Sequence, residues 1–418
     1  MSANLTNYSS SQDLSNGFRE NWASAFEQLK AQYDPLNEWV GKRAEQHLRA
    51  NGGDSYNYLT IAELESGDID PYAQTAAGSS TITKDLMILD ETSEYKFQRE
   101  EDEKGLSQTY ESFLARQTQS ALKSHLKDKC STVLSGAYIN SLTELDDGSF
   151  GGTAGNAFSV TAASIDNMAF EAQGIINEDA QEDGNINMVI TPRMTARVAL
   201  SAWGNGSAVS DDMFNGGLKG MSNPRVRNAF GLSIYQTLFL PHGRDLTFTG
   251  DAANANTLTI GGVVLDILTS LTGAEGEVLL GANAAATIVN IVDLLQNPTK
   301  ANATGKGFAK NSTSHKTLRG FTAKRQSDTV LTIISKFGDR FSTTSEVVTN
   351  ATLATTTDIY VLATHFGAIE VASPRGVRLF NGMSADGTVQ TFTSRERFGY
   401  ATPTNDLVKF KFIKTVLG

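Results

Sequence analysis

The chain has 418 residues, 40 % of them hydrophobic, one cysteine, and a formal charge of −11 from 46 acidic and 35 basic side chains. At about 150 residues per compact unit that length calls for two or three units. The lone Cys130 excludes an intrachain disulfide framework and a multi-cysteine zinc site. No run approaches the ~18 consecutive apolar residues of a membrane span. The opening MSANLTNYSSSQDLSNG also lacks the basic and apolar regions of a secretory signal, so the expectation is a soluble protein made in a reducing cytoplasm.

Residues 1–15 are polar and read as flexible. From Gly17 to Ala50, Phe18, Trp22, Phe26, Leu29, Tyr33, Trp39, Val40, Ala44 and Leu48 form one apolar stripe, interrupted at Pro35. That pattern predicts two helices whose stripe needs covering. Asn51 to Ser80 is poor in periodicity and reads as an extended arm or loop. From Thr81 to Lys104, Ile82, Leu86, Ile88, Tyr95 and Phe97 alternate with polar residues around Asp90-Glu91-Thr92, which predicts a long hairpin. The charge cluster Arg99 to Lys104 follows it at once. An isolated two-stranded hairpin is barely stable in water, so this one must pack on its own domain or be completed by a neighbour.

Ser107 opens the strongest helical pattern, with Tyr110, Phe113, Leu114, Ala121, Leu122, Leu126, Cys130, Val133 and Leu134 at three- and four-residue steps and a stop expected at Gly136. After a Gly/Asp-rich loop, Ser164 is read as the cap of a helix that buries Ile165, Met168, Ala169, Ala172, Ile175 and Ile176 and ends at Gly184-Asn185. Ile186 to Ile190 reads as a short buried strand, and Thr191-Pro192 as the cap and first position of the next helix. A loop over Gly204 to Gly220 precedes a strand from Leu232 to Leu240, stopped by Pro241. Helices alternating with short strands make this region α+β or α/β.

From Leu246 to Asn350 the chain is rich in Thr, Ala and Gly, with strands expected at Leu246–Gly250, Thr257–Gly262 and Thr329–Ser335 and a helix at Asn283–Leu295. It reads as a separate, largely β module set into the surrounding domain. Strands return at Ile359–Leu362, Ile369–Val371, Val377–Phe380 and Leu407–Leu417.

A search for chemistry returns neither a G-x-S-x-G elbow, a phosphate-binding loop, G-x-G-x-x-G nor H-E-x-x-H. Gly305-Lys306 lacks the following Ser or Thr. His47, His125, His242, His315 and His365 are scattered, and Cys130 falls on the apolar face of the long helix. Asp68/Asp70, Asp146/Asp147 and Asp211/Asp212 read as solvated turns outside any calcium-binding pattern. The basic stretch Lys300–Arg325, with only Phe308 and Phe321 as interleaved aromatics, reads as a solvated face. No catalytic, cofactor-binding or metal-binding residue is assigned, and no enzyme is expected.

The order of elements carries more. Helical arm, charged hairpin, spine-like helix, α+β region and C-terminal strands together resemble the HK-97-type fold of tailed-bacteriophage major capsid proteins. Three segments carry the likeness. They are Thr81 to Gly105; Met188-Val189-Ile190-Thr191-Pro192 with Gly217, Pro224 and Phe230-Gly231 to Leu240-Pro241; and His365 to Glu370 through Arg395 to Gly399. The module at 246–350 departs from the minimal fold, and Thr257–Gly262 with Gly281–Ile288 resembles a small module of phage structural proteins. The resemblance implies an N-terminal arm (1–78), an extended hairpin loop (79–105), a peripheral domain with the spine helix (106–160), an axial domain (161–245), the inserted module (246–350) and C-terminal strands completing the axial and peripheral domains (351–418). It further implies pentamers and hexamers in an icosahedral shell around packaged double-stranded DNA, held by non-specific enclosure, in a virion assembled in the host cytoplasm. Scaffolding, portal and decoration proteins are the implied partners, with no cofactor and no membrane. Some relatives crosslink through a Lys–Asn isopeptide bond, for which Lys84, Lys96 and Asn381 are the counterparts to consider; hairpin lysines also protect strand edges. The rival readings are an encapsulin-type nanocompartment shell and a β-rich phage tail protein or adhesin.

Overall fold

The computed structural model describes residues 35–61, 82–100, 110–201, 225–229, 231–374, 377–383 and 389–418. In chain order the first elements are helix α1 (Arg43–Asn51), strands β1 (Ser55–Ile61), β2 (Ile82–Ile88) and β3 (Glu91–Glu100), and helix α2 (Tyr110–Asn140). Next come β4 (Glu144–Leu145), β5 (Phe158–Val160), α3 (Ile165–Ala180), β6 (Ile186–Ile190), α4 (Pro192–Leu200), β7 (Arg225–Ala229) and β8 (Leu232–Gln236). They are followed by β9 (His242–Phe248), β10 (Asn256–Ile260), β11 (Val263–Leu268), β12 (Glu277–Leu279), α5 (Ala284–Gln296), β13 (Ala301–Asn302), β14 (Gly305–Lys306) and α6 (Thr313–Leu318). The last are β15 (Phe321–Arg325), β16 (Val330–Ser335), β17 (Ser345–Val347), β18 (Ala351–Leu353), β19 (Asp358–His365), β20 (Glu370–Ala372), β21 (Val377–Met383), β22 (Val389–Ala401) and β23 (Phe410–Leu417). The class is α+β, as the pattern of elements led us to expect.

Two compact units divide the chain: Met1–Lys129 with His365–Lys409, and Cys130–Thr364 with Phe410–Gly418. In the first, α1 buries Ala44 and Leu48 in a small core with Tyr58, Met87, Leu89 and Ala372. Just before it, Leu36, Trp39 and Val40 are almost fully buried. Gly41 forms an isolated parallel bridge to Glu370, its N–H donating to Ile369 O at 2.8 Å and its carbonyl accepting from Val371 N at 3.0 Å. A Cβ at Gly41 would sit 2.2 Å from Glu370 Oε1, so a larger residue would have to displace that buried carboxylate. The buried Glu370 carboxylate then takes Arg43 Nε at 2.6 Å and Arg43 N at 3.1 Å. The second layer of this unit is a ladder in which β22 pairs with β3 over ten positions on one side and with β21 on the other. Ala121, Leu122 and Leu126 of α2 pack beneath it with Tyr95 and Val377.

The second unit holds an eleven-stranded mixed sheet, with the path β15-β16-β9-β19-β6-β8-β7 and further strands on β9 and β19. Every residue of β19 is buried, as in a strand covered on both faces. β23 runs antiparallel to β19 and parallel to β4 and β5. A six-stranded sheet in the order β13-β14-β12-β11-β10-β17 lies within residues 256–347. Its apolar side packs with Ile288, Ile291, Leu294 and Leu295 of α5 in a core whose members all fall between Leu246 and Leu353. The hairpin β15–β16 belongs to the larger sheet, through β9.

Several expectations need correction. β2 and β3 are strands, but no hairpin pairs them: β2 pairs with β1, and β3 with β22. The connecting residues Leu89-Asp90 lack the glycine that a tight two-residue hairpin turn requires, and β22 supplies a ten-residue partner instead. Ser55–Ile61, read as part of an extended arm or loop, is a strand. The second arm helix begins only at Arg43, after a 3-10 turn at Pro35–Glu38; the first arm helix lies outside the described residues. Helix α2 does not stop at Gly136 but runs to Asn140. Ser164 precedes α3 without a side-chain cap, its hydroxyl donating to Ser159 O at 2.9 Å. That helix ends at Gln181, with φ 51°, ahead of Gly184. β8 ends at Gln236, and the next strand starts at His242 rather than Leu246. Thr191 does cap α4, accepting from Met194 N, with Pro192 in its first turn.

Candidate interaction surface

β1 and β2 form a two-stranded antiparallel ribbon with Asn57 opposite Leu86, Tyr58 opposite Asp85 and Leu59 opposite Lys84. Period-two alternation sends Tyr58 and Met87 inward, where they are buried against α1. Tyr56 packs edge-on against both Tyr58 and His47, at 4.8 and 5.0 Å between ring centres. Polar ties hold the ribbon down. Thr404 N and Oγ1 donate to the Asp85 carboxylate at 2.8 and 2.7 Å, and Arg397 pairs with Asp54 at 3.1 Å. A Cβ at Gly399 would lie 2.3 Å from Ile88 O, so β22 passes directly against the end of β2.

The outer face of the ribbon is different. Leu59, Leu86 and Ile88 are 65, 54 and 46 % exposed, beside exposed Asn57 and Lys84. Three large aliphatic side chains on one face of the ribbon make it a candidate contact surface. Covering them contributes roughly 1 kcal/mol each at half exposure.

Two buried polar clusters bring together residue types found in reaction sites. In the first unit, His125 places its ring nitrogens 2.9 and 2.8 Å from the hydroxyls of Ser93 and Ser394, and Ser93 donates to Asp128 at 3.1 Å. Serine, histidine and aspartate in contact suggest nucleophilic chemistry, but His125 is 1 % exposed and a substrate has no approach. These four residues tie α2 to β3 and β22; Ser93 and Ser394 stand too far in sequence from His125 for any motif to announce the cluster.

In the second unit, Tyr138 OH donates to Glu144 at 2.8 Å, and Gln326 reaches both. Lys324 Nζ donates to Tyr138 O, Ser141 O and Ser141 Oγ at 3.0, 2.9 and 2.7 Å, capping the C-terminal end of α2. Burial pulls the Lys324 ammonium down to about 8 and pushes the Glu144 carboxyl up. Nearby, Lys414 Nζ contacts Asp245 at 2.6 Å and Asp358 at 3.5 Å. Burial raises Asp358 to about 6, against the opposing pull of Lys414. Burial works against the Lys414 charge too, but Asp245 and Asp358 outweigh it and hold that ammonium above its ordinary value. These charges brace the sheet from inside.

The residues singled out from sequence fall apart in space. His47 is exposed and stacked on Tyr56, while His242, half-buried, points Nδ1 at Leu240 O. His315 accepts from Asn311 N, and His365 and Cys130 are buried. Asp146 and Asp147 accept from backbone N–H groups of their own loop, including Thr153 N at 2.8 Å. Asp68, Asp70, Asp211 and Asp212 lie outside the described residues. The stretch Lys300–Arg325 is no uniform solvated face: Lys300 pairs with Asp293 at 2.7 Å, and Lys324 is buried. Lys84 and Lys96 are exposed on strands of different sheets, and Asn381 lies on β21. Among the described residues no group of three or more His, Cys, Asp or Glu could hold a metal ion, and no helix is long and apolar enough to cross a membrane.

No family model matches the sequence, and no curated protein matches it. Among solved structures the chain is similar to one from Mycobacterium phage Che8, with 10 % identity and a TM-score of 0.43 over 90 % of this chain and 89 % of that one. It is similar to the capsid of Ralstonia phage GP4 at 8 % identity and a TM-score of 0.43, covering 87 and 83 % of the two chains. A third likeness is to the mature capsid of bacteriophage PhiM1, at 10 % identity and a TM-score of 0.42 over 88 and 83 %.

Proposed function

We infer that the chain is a structural, non-enzymatic shell subunit: a major capsid protein of the HK-97 type that assembles with itself as pentamers and hexamers into an icosahedral shell enclosing packaged phage DNA. The observation that carries this reading is the ribbon β1–β2, anchored on its own unit by one face and presenting Leu59, Leu86 and Ile88 on the other. A surface of that kind on every copy, meeting a different surface on the next, is what a head-to-tail ring requires. The reading rests on the chain's own contacts.

In this scheme residues 1–78 form the arm, 79–105 the extended loop, 106–160 the peripheral domain and 161–245 the axial domain. Residues 246–350 form the inserted module, and 351–418 complete the axial and peripheral domains. Scaffolding, portal and decoration proteins are the expected partners in the host cytoplasm, and DNA is held by enclosure, since a chain of charge −11 has little affinity for phosphate.

The test is negative-stain microscopy of the purified chain, alone and co-expressed with its neighbouring genes. Closed shells or hexameric rings are expected. The double variant Leu59→Asp/Leu86→Asp should keep the wild-type circular dichroism spectrum and lose assembly, because both side chains are exposed in the lone subunit. Monodisperse wild-type monomers under every condition would overturn the proposal.

A further inference from the structure

We propose that the outer face of the β3–β22–β21 ladder docks on the acidic C-terminal end of helix α3 in a second copy of the chain. Directly opposed residues of an antiparallel ladder project to the same face. The register therefore lines up Glu94, Arg395 and Arg378 in one row and Lys96, Thr393 and Phe380 in the next. Arg395 Nε donates to Glu94 at 3.0 Å, and its guanidinium lies 5.7 Å from the centre of the Phe380 ring. Lys96 and Arg378 are exposed and make no ion pair among the described residues, and Phe380 is 49 % exposed. The result is a cationic face with an aromatic anchor on a chain whose net charge is −11.

The complementary surface belongs to the same sequence. Glu178, Asp179, Glu182 and Asp183 are all exposed at the last turn of α3 and just beyond it. The helix dipole places its negative pole there, so four carboxylates accumulate where the backbone disfavours them. Lys411 offsets one of them, pairing with Asp179 at 2.7 Å. Cations from another copy would add to it at Glu178 and Asp183. A polyphosphate suits the sheet face less well, because binding to nucleic acid grows with the number of phosphates neutralised, and Arg395 is already committed to Glu94. Two cations that make no ion pair among the described residues, beside a half-exposed ring, instead match a small acidic protein patch, with arginine and an aromatic at its centre. The contact joins unlike surfaces, so it propagates around a ring.

This inference rests on the self-assembly reading, and charge reversal separates the two. Arg378→Glu with Lys96→Glu should lower the assembled fraction, read by sedimentation at low salt, by roughly ten-fold or more. The reciprocal change Glu178→Lys with Asp183→Lys should do the same, and the four changes together should restore assembly. All four positions are surface sites in wild type, so thermal melts of the subunits should coincide; the neutral pair Arg378→Gln/Lys96→Gln, with an intermediate loss, serves if a reversal fails to fold. Normal assembly of the reversed variants, or loss without rescue by the combined variant, would overturn the docking while leaving the shell intact. Normal assembly with loss only of retained DNA would overturn it in favour of a nucleic-acid face. Failure of the wild type to assemble would instead count against the shell reading itself.

Discussion

Asp358 shows how one buried carboxyl sets a pH dependence. It is raised to about 6 by burial, against an ordinary value of 3.8. The folded state therefore keeps a proton that the unfolded chain has released. That contribution to stability is present in full below about 4 and is lost as pH rises through about 6. Asp358→Asn, which stays neutral throughout, should remove this slope. In melts between pH 4 and 7 the wild type should lose on the order of 1–2 kcal/mol that the variant does not. Parallel slopes in the two proteins would show that the carboxyl is ionised in the fold. Lys324 has the opposite sign: lowered to about 8 by burial, it contributes most above its ordinary 10.5, and that contribution is lost as pH falls through 8.

At the scale of elements, α2 is about 46 Å long at roughly 1.5 Å per residue, and its C-terminal carbonyls end on Lys324. Lys324→Met removes the ammonium donor from those carbonyls, leaving Tyr138 O to Ser141 N and Oγ, and should cost about 1–3 kcal/mol, read as a lower unfolding midpoint at unchanged denaturant slope. A neutral outcome would mean that relief of ammonium burial outweighs the lost cap. Nothing in the sequence could announce this contact, because a lysine in a basic stretch looks solvated until the fold places it nearly two hundred residues back along the chain. Local signals read far better. The periodicity from Tyr110, the Thr191-Pro192 cap, the continuous apolar run Ile186–Ile190 and the Gly261-Gly262 turn between β10 and β11 are all where the residues put them. Strand partners were not legible. Alternation in Ile82–Ile88 and Glu91–Glu100 marks two strands, but which ladder each joins depends on β1 and β22, one of them hidden in a segment read as loop. The period-two pair Tyr56 and Tyr58 was the one clue to β1. The candidate contact surface was half visible for the same reason: Leu86 and Ile88 stood in a predicted strand, Leu59 did not.

At the scale of the whole molecule, both proposed contacts share a logic. Each sets a surface anchored by one side on its own unit against a different surface of the next copy, and each is modest alone. A shell built from such contacts gains strength by repetition, and its assembly should weaken with added salt in proportion to the ionic share. The stretch between β9 and β18, proposed above as an inserted module, bears on this design in another way. Where the chain leaves for the module and where it returns, Phe248 faces Ala351, and Thr249 N donates to Asn350 O at 2.7 Å. Entry and exit are thus neighbours on one rung of a sheet. A segment whose ends are neighbours can lengthen at its exposed turns with little cost to either strand, its hairpin β15–β16 staying paired with β9. A foreign folded domain with closely spaced ends, spliced at the exposed tip Gly273–Glu275 of this module, should be carried by every copy without loss of particles, which makes the segment a ready mount for multivalent display.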